Sequence, residues 1–231
     1  MTSSDFFFLC ADVNRFSAVA GILYFLFFIR KWKSVEAIIF YVLFISFAFD
    51  FGIYIYIKYY YPNSYYGSNW WIILNYGLMS WLFLKVLPEK KRLIQLGLIG
   101  FYVSAIITFT FFYSFAESNT ITRTFSSIVM ILFSLLGFSK LLKMPDGNLF
   151  KVPVFYLLSA FLFYYGLTFF KGLFLQYLVF ELQVNANEFF PVAILNLFAN
   201  TSKNFILFYV LVLMDKKLKD PIISNHHQGK A

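Results

Sequence analysis

A lysine stands in the middle of an apolar run of this chain, and its type and place could do chemistry. The stretch NLFANTSKN, residues 196–204, has six polar residues in nine. It is flanked by PVAIL before and FILFYVLVLM after. On a helix, Asn196, Asn200, Lys203 and Asn204 fall within about 100 degrees of one another and form one polar stripe. An ammonium at mid-bilayer costs roughly 2.5–3.5 kcal/mol on insertion scales, so it should face a bundle interior and have a partner. Asp50 is the only acid well inside another apolar run. Measured from the basic ends of their runs at 1.5 Å per residue, Lys203 lies about 16 Å deep and Asp50 about 21 Å deep. A Lys203–Asp50 pair, direct or through water, is the expected contact.

Other polar residues lie nearer the opposite ends of their runs. Asn75 is one-third of the way along the third run, and Lys171 is near the end of the sixth. Asn14, Arg15 and Arg123 are placed similarly. The basic halves of the runs are almost wholly apolar, apart from Gln95, Ser134 and Ser139. This asymmetry predicts a polar cavity at one end, closed by an apolar plug below. The candidate ligand-binding set is Asp50, Asn75, Lys171, Asn196, Asn200 and Lys203. The cavity is placed between the second, third, sixth and seventh runs, with the asparagines as hydrogen-bonding walls. The same polar residues could instead serve only to join helices, each contact contributing about 0.6 kcal/mol.

The elements that must position these residues are membrane helices. Of 231 residues, 61% are hydrophobic and only 13% charged, against about 25% charged in a soluble domain. Thirty-four Phe and seventeen Tyr exceed what one small core could hide. A membrane helix needs about 20 mostly apolar residues. Seven runs qualify: 7–30, 36–58, 69–87, 92–114, 121–143, 152–178 and 188–214. The connections KWKS, YYPNSYYGSN, PEKKR, ESNT and MPDGN carry the Pro, Gly, Asn and charge that end helices. The expectation is an all-α bundle of seven transmembrane helices over residues 1–214. A polar tail follows over 215–231.

Orientation follows from Lys and Arg. Fourteen of the nineteen fall in the first, third and fifth connections and the tail. The positive-inside rule then places the N-terminus outside and the C-terminus in the cytoplasm. This bias accounts for the net charge of +8, so no nucleic-acid partner is expected. The Tyr and Trp cluster of Tyr59, Tyr60, Tyr61, Tyr65, Tyr66, Trp70 and Trp71 reads as an interfacial aromatic belt.

An internal repeat is also legible. RFSAVAGILYFLFFIRK from Arg15 aligns with RTFSSIVMILFSLLGFSK from Arg123 when one residue is inserted. FYVL at Phe40 matches FYLL at Phe155, and ILN ends at both Asn75 and Asn196. This predicts two parallel three-helix units joined by the fourth helix.

Enzyme motifs are missing. The two histidines, His226 and His227, lie in the tail, and Cys10 is the single cysteine. That excludes an internal disulfide and the metal-ligand spacings of membrane metallohydrolases. There is no GxSxG elbow. No enzymatic activity and no cofactor is expected.

Two resemblances bear on function. A lysine in the seventh run is similar to the Schiff-base lysine of microbial rhodopsins. However, Ala199 stands where that family has aspartate, and WWIILNYGLMSWLFL lacks its Arg and Asp pattern. TRTFSSIVMILFSLLGFSKLL, PVFYLLSAFLFYYG and ILNLFANTSKNFILF resemble small seven-helix proteins of Bacteroidota-type bacteria. That resemblance implies a receptor-like layout in the inner membrane. The expected function is a sensor or accessory subunit that takes a small-molecule ligand and acts through a protein partner within the lipid bilayer. A small-solute transporter of three-plus-one-plus-three topology and a structural subunit of an envelope complex are the alternatives.

The orientation is directly testable. A reporter active only in the cytoplasm should be active when fused after Ala231 and silent when inserted at Asn63. Activity at Asn63 would reverse the topology.

Overall fold

The structure is a computed structural model that describes residues 3–29, 35–59, 66–112, 120–143, 149–180 and 190–219. Among these residues all regular structure is helical. The elements are α1 (Ser3–Ser17), α2 (Val19–Phe28), α3 (Val35–Tyr59), α4 (Tyr66–Val86), α5 (Lys91–Phe111), α6 (Thr120–Leu141), α7 (Pro153–Phe180) and α8 (Phe190–Lys219). Two single turns of 3-10 helix, Pro88–Lys90 and Leu149–Lys151, precede α5 and α7. Pro88 and Pro153 each open a helical segment, where a missing N–H costs nothing.

Among the described residues six stretches are long and apolar enough to cross a membrane: Phe6–Phe28, Val35–Gly52, Pro88–Phe111, Thr120–Leu141, Pro153–Phe174 and Ile194–Lys216. The bundle exterior is correspondingly apolar, with Phe27, Leu96, Ile106, Phe111 and Phe170 all exposed. In water such a surface would drive association. Facing lipid it is the required surface, because no hydrocarbon group can hydrogen-bond to a polar one. The chain therefore has the build of a multi-pass membrane protein.

The stretch in α4 is the exception. Its 21 residues include Asn69, Asn75, Ser80 and Lys85, which lower its mean hydropathy. Asn69, Asn75 and Ser80 are buried, whereas Trp70, Leu74 and Trp81 face outward. Three of the polar residues of α4, Asn69, Asn75 and Ser80, are thus turned into the bundle beside Tyr76, Met79, Leu82 and Phe83, while Lys85 is exposed.

The first predicted helix is broken in two. Ala18 alone separates α1 from α2. The Ile22 amide still donates to the Ala18 carbonyl at 3.1 Å, so helical hydrogen bonding resumes directly after the break. Ser17 Oγ donates back to the Asn14 carbonyl at 2.7 Å, the kind of back-bond that bends helices.

Each helix packs against its neighbour in sequence, and α8 closes the ring against α1 and α2 while also touching α3. Apolar packing fills the end of the ring that carries most of the lysines and arginines. Phe25 stacks on Phe40 with ring centroids 4.5 Å apart, and Phe83 meets both Phe133 and Phe161 at 5.6 Å. At the same end Lys140 and Glu89 form a half-exposed ion pair of 2.9 Å.

One boundary shifts from the sequence expectation. The polar tail was expected to start at residue 215, but α8 continues to Lys219. Asp215 is buried and accepts a hydrogen bond from Tyr24 Oη at 2.9 Å. A tertiary partner on α2 therefore extends the helix beyond its apolar run. Residues 220–231 lie outside the described residues.

Two glycines give a matched test of helix contact. A Cβ at Gly137 would lie 2.6 Å from Leu158 Cδ1 on α7, while one at Gly166 would meet nothing within 4 Å. Overpacking costs about 1–3 kcal/mol, whereas alanine in an open helical position gains roughly 0.5–1 kcal/mol over glycine. Gly137→Ala should lower the melting temperature in detergent, and Gly166→Ala should hold or raise it.

Candidate functional site

A cavity of about 280 Å³ opens among the helices at one end of the bundle. This is the end where α1, α4, α6 and α8 begin and where α3 and α7 finish. Six helices line it: Asn14 from α1; Asp50 from α3; Trp71, Ile72, Asn75 and Tyr76 from α4; Arg123 and Ser126 from α6; Tyr164, Tyr165, Thr168 and Lys171 from α7; and Asn196, Leu197 and Asn200 from α8. Five of the six residues predicted from sequence, Asp50, Asn75, Lys171, Asn196 and Asn200, are thus brought to one space. Asn75 and Asn200 are buried, while Asp50, Lys171 and Asn196 are half-buried.

Lys203 is not in the lining. It is completely buried one turn deeper along α8. Its Nζ lies 4.5 Å from the centre of the Tyr164 ring, a cation–π contact. Tyr164 is therefore the floor between the lysine and the cavity.

The expected direct Lys203–Asp50 pair does not form. The two groups feel each other's charge, but Lys203 Nζ has no hydrogen-bond partner among the described residues. Asp50 is held instead by Asn14, whose Nδ2 donates to Asp50 Oδ2 at 3.2 Å. The reason lies in depth. Lys203 sits closer to the basic end than Asp50 by about 5 Å on the helical rise, and an intervening layer of amides takes the acid.

Asn14 is the centre of that layer. Its Oδ1 accepts from Asn200 Nδ2 at 2.8 Å and from Thr201 Oγ1 at 3.3 Å. One turn below, Asn204 Nδ2 donates to Ser17 Oγ at 2.8 Å, and Ser17 in turn donates to the Asn14 carbonyl. These contacts tie α8 to α1 through two steps of a polar ladder. The stripe read from sequence therefore divides. Asn200 and Asn204 bond to α1, Asn196 faces the cavity, and Lys203 turns toward α7.

On the opposite wall Asn75 Nδ2 donates to Tyr165 Oη at 3.1 Å. The Oδ1 atoms of Asn75 and Asn200 are buried without a hydrogen-bond partner among the described residues. Unsatisfied buried acceptors are uncommon in native proteins and call for an explanation such as a bound group.

The cavity reaches further round the ring than sequence spacing indicates. It includes α1 through Asn14 and α6 through Arg123 and Ser126. Trp71, read as part of an outer belt, turns inward and packs on Phe49 at 5.5 Å. Trp70 is exposed, as a belt residue would be. Tyr60, Tyr61 and Tyr65, and the side chains of Tyr59 and Tyr66, lie outside the described residues. The tyrosines of the lining, Tyr76, Tyr164 and Tyr165, carry no sequence signal among seventeen. Arg15 lies outside the lining and pairs with Asp12, three residues earlier, at 2.5 Å. No three His, Cys, Asp or Glu side chains converge among the described residues. Comparison with protein-family models, with curated proteins and with solved structures finds no match to this chain.

The ladder and the lysine should respond differently to substitution. Each buried polar group left unpaired costs about 1–3 kcal/mol, and Asn14→Leu strands Asp50, Asn200 and Thr201. It should destabilise the protein in detergent by about 2–4 kcal/mol, with Asn200→Leu adding less on top than alone. Lys203→Met keeps the volume and removes an ammonium that accepts no compensation by hydrogen bonding, so the melting temperature should hold or rise. A double-mutant cycle between Lys203→Met and Asp50→Asn should be nearly additive. Strong coupling would restore the direct pair.

Proposed function

We propose that this protein is a seven-span sensor, or the ligand-binding subunit of a signalling or envelope complex, in the inner membrane. The observation that carries the reading is the convergence of polar side chains from six helices on one cavity. Such convergence is more than helix joining requires. Interhelical glue can be made in pairs, as the Asn204–Ser17 contact is, and leaves no space. The seventh span is α4, with Trp70, Leu74 and Trp81 toward lipid and Asn75 toward the cavity. The two parallel three-helix units would then present Asn75 and Asn196 from their third members to the same cavity.

With the N-terminus outside, the cavity faces away from the cytoplasm. Phe25, Phe40, Phe83, Phe133 and Phe161 close the bundle on the cytoplasmic side. A small ligand entering from outside would change the packing around the ladder and bias a protein partner. The polar set Asp50, Asn75, Lys171, Asn196 and Asn200 would contact it, with Lys203 as the charge beneath. Transport is the weaker reading. Transporter sites commonly use helices interrupted at mid-membrane, whereas five of the six lining helices, α3, α4, α6, α7 and α8, run unbroken past the cavity and only the first span is interrupted, at Ala18.

The test replaces Cys10 by serine and introduces one new cysteine at a time. Asn196→Cys should react with a small membrane-impermeant thiol reagent applied outside intact cells. Ser134→Cys, in the closed half, should not. Protection at position 196 with labelling at 134 would overturn the outward cavity. Purification in mild detergent should bring a stoichiometric second protein, and solute uptake by vesicles of the chain alone would favour the transporter instead.

A further inference from the structure

A second space lies beside the polar cavity, on the outer side of the first and last helices. It measures about 380 Å³ and is a groove between α1 and α8. Phe6, Leu9, Cys10 and Val13 form its α1 wall, and residues between Ile194 and Thr201 form its α8 wall. Phe6, Leu9 and Val13 are exposed, as are Leu195 and Phe198 across from them. In a membrane this groove is therefore part of the surface that meets hydrocarbon. Its hydroxyl, Thr201 Oγ1, is turned away to Asn14 Oδ1 at 3.3 Å.

The wall between groove and cavity is one side chain thick. Leu197 lines both spaces. On either side of it, neighbouring residues part company. Val13 lines the groove and Asn14 the cavity, while Thr201 lines the groove and Asn200 the cavity. The hydrogen bonds of Asn14 to Asn200 and Thr201 join the two helices at this level. Leu197 itself is half-buried, with lipid-facing groove on one side and amides on the other.

That juxtaposition suits a molecule with two unlike ends. A hydrocarbon chain gains nothing by leaving lipid for an apolar groove, because the two are equally apolar. What the groove supplies is a path. A polar head can enter the cavity through it while its chain stays in hydrocarbon, so no methylene is drawn into water. The cavity side offers Asn75, Ser126, Thr168, Asn196 and Asn200, amides and hydroxyls that pair with groups able both to donate and to accept. Asp50 sets the direction of one chain of these contacts. Asn14 Nδ2 donates to Asp50 and Asn14 Oδ1 accepts from Asn200 Nδ2, which leaves Asn200 Oδ1 as an acceptor without a partner among the described residues. A hydroxyl supplies the missing donor. At about 30 Å³ per water in the liquid, a cavity of 280 Å³ has room for about nine heavy atoms, the size of a glycerol ester.

We propose that the cavity takes the hydroxylated head of a single-chain lipid, of the monoacylglycerol kind, from the leaflet at its own end of the bundle. Leu197 turns aside, and the chain lies in the groove between α1 and α8. This rests on the ligand-binding reading of the cavity and adds the class of ligand and its route.

The experiment uses the full chain in phosphatidylcholine nanodiscs, with Cys10→Ser and Asn196→Cys, and follows labelling of position 196 by a membrane-impermeant thiol reagent. Monododecanoylglycerol should slow the labelling at least about fivefold, the factor that one net hydrogen bond supplies. Dodecane at the same mole fraction and glycerol at the same total concentration should each change it less than about twofold, since one lacks the head and the other the chain. Val13→Trp fills the groove from its lipid side and should abolish the slowing, while Val103→Trp on the exposed face of α5 should leave it intact. A monododecanoylglycerol with a photoreactive diazirine in its chain should cross-link within residues 6–13 and 194–201, and unmodified monododecanoylglycerol should compete it away. Equal slowing by dodecane, slowing that survives Val13→Trp, or cross-links spread over α5 would each overturn the single-chain lipid. If position 196 is labelled but monododecanoylglycerol does not slow it, the ligand class fails and the cavity reading stands. If position 196 is not labelled even without the lipid, the cavity reading fails first.

Discussion

Every polar group inside this bundle must find its partner inside the bundle, because the surrounding hydrocarbon offers none. That constraint organises the whole interior. Helices in lipid gain nothing from burying Leu or Phe against one another instead of against acyl chains. What holds them together is close packing and the polar contacts that lipid cannot supply. Asn14 is where these contacts meet, with one side chain reaching Asp50 on α3 and both Asn200 and Thr201 on α8. Through that side chain the first helix is fixed to the last, and the ring closes.

The interior is consequently divided along the bundle axis. One end is an aromatic core around Phe83, where glycine at 137 lets α6 and α7 approach closely. The other end is a cavity whose walls are amides, hydroxyls and charges. The ladder of Asn14, Ser17, Asn200 and Asn204 lies at the boundary, and Lys203 sits beside it under Tyr164. A ligand in the cavity would touch the upper rung through Asn14 and Asn200, and the rung below is bonded next to the α1–α2 break at Ala18. The proposed sensing function would use this arrangement, since the break between α1 and α2 at Ala18 lies one residue from the ladder.

Lys203 shows how a buried charge is tolerated here. It has no hydrogen-bond partner among the described residues, and its surroundings are an aromatic face and the distant field of Asp50. A buried ion in such a setting is weak support for stability.

The sequence by itself determined the helices and the end of the bundle at which polarity collects. Runs of Phe, Leu and Ile must be helical in lipid, and the spacing of Asn75, Lys171, Asn196 and Asn200 from their run ends fixes their depth. Depth along a helix is a one-dimensional quantity, so it can be read from counting. Partners are not. Asp50 bonds Asn14 and not Lys203, Trp71 turns in while Trp70 turns out, and Arg123 joins the lining from the fifth run. Asp215 is drawn into the bundle by Tyr24, 191 residues away in the chain. Each of these depends on the rotation of one helix against another, which is set by the packing of the whole ring at once. Only the tertiary structure decided them.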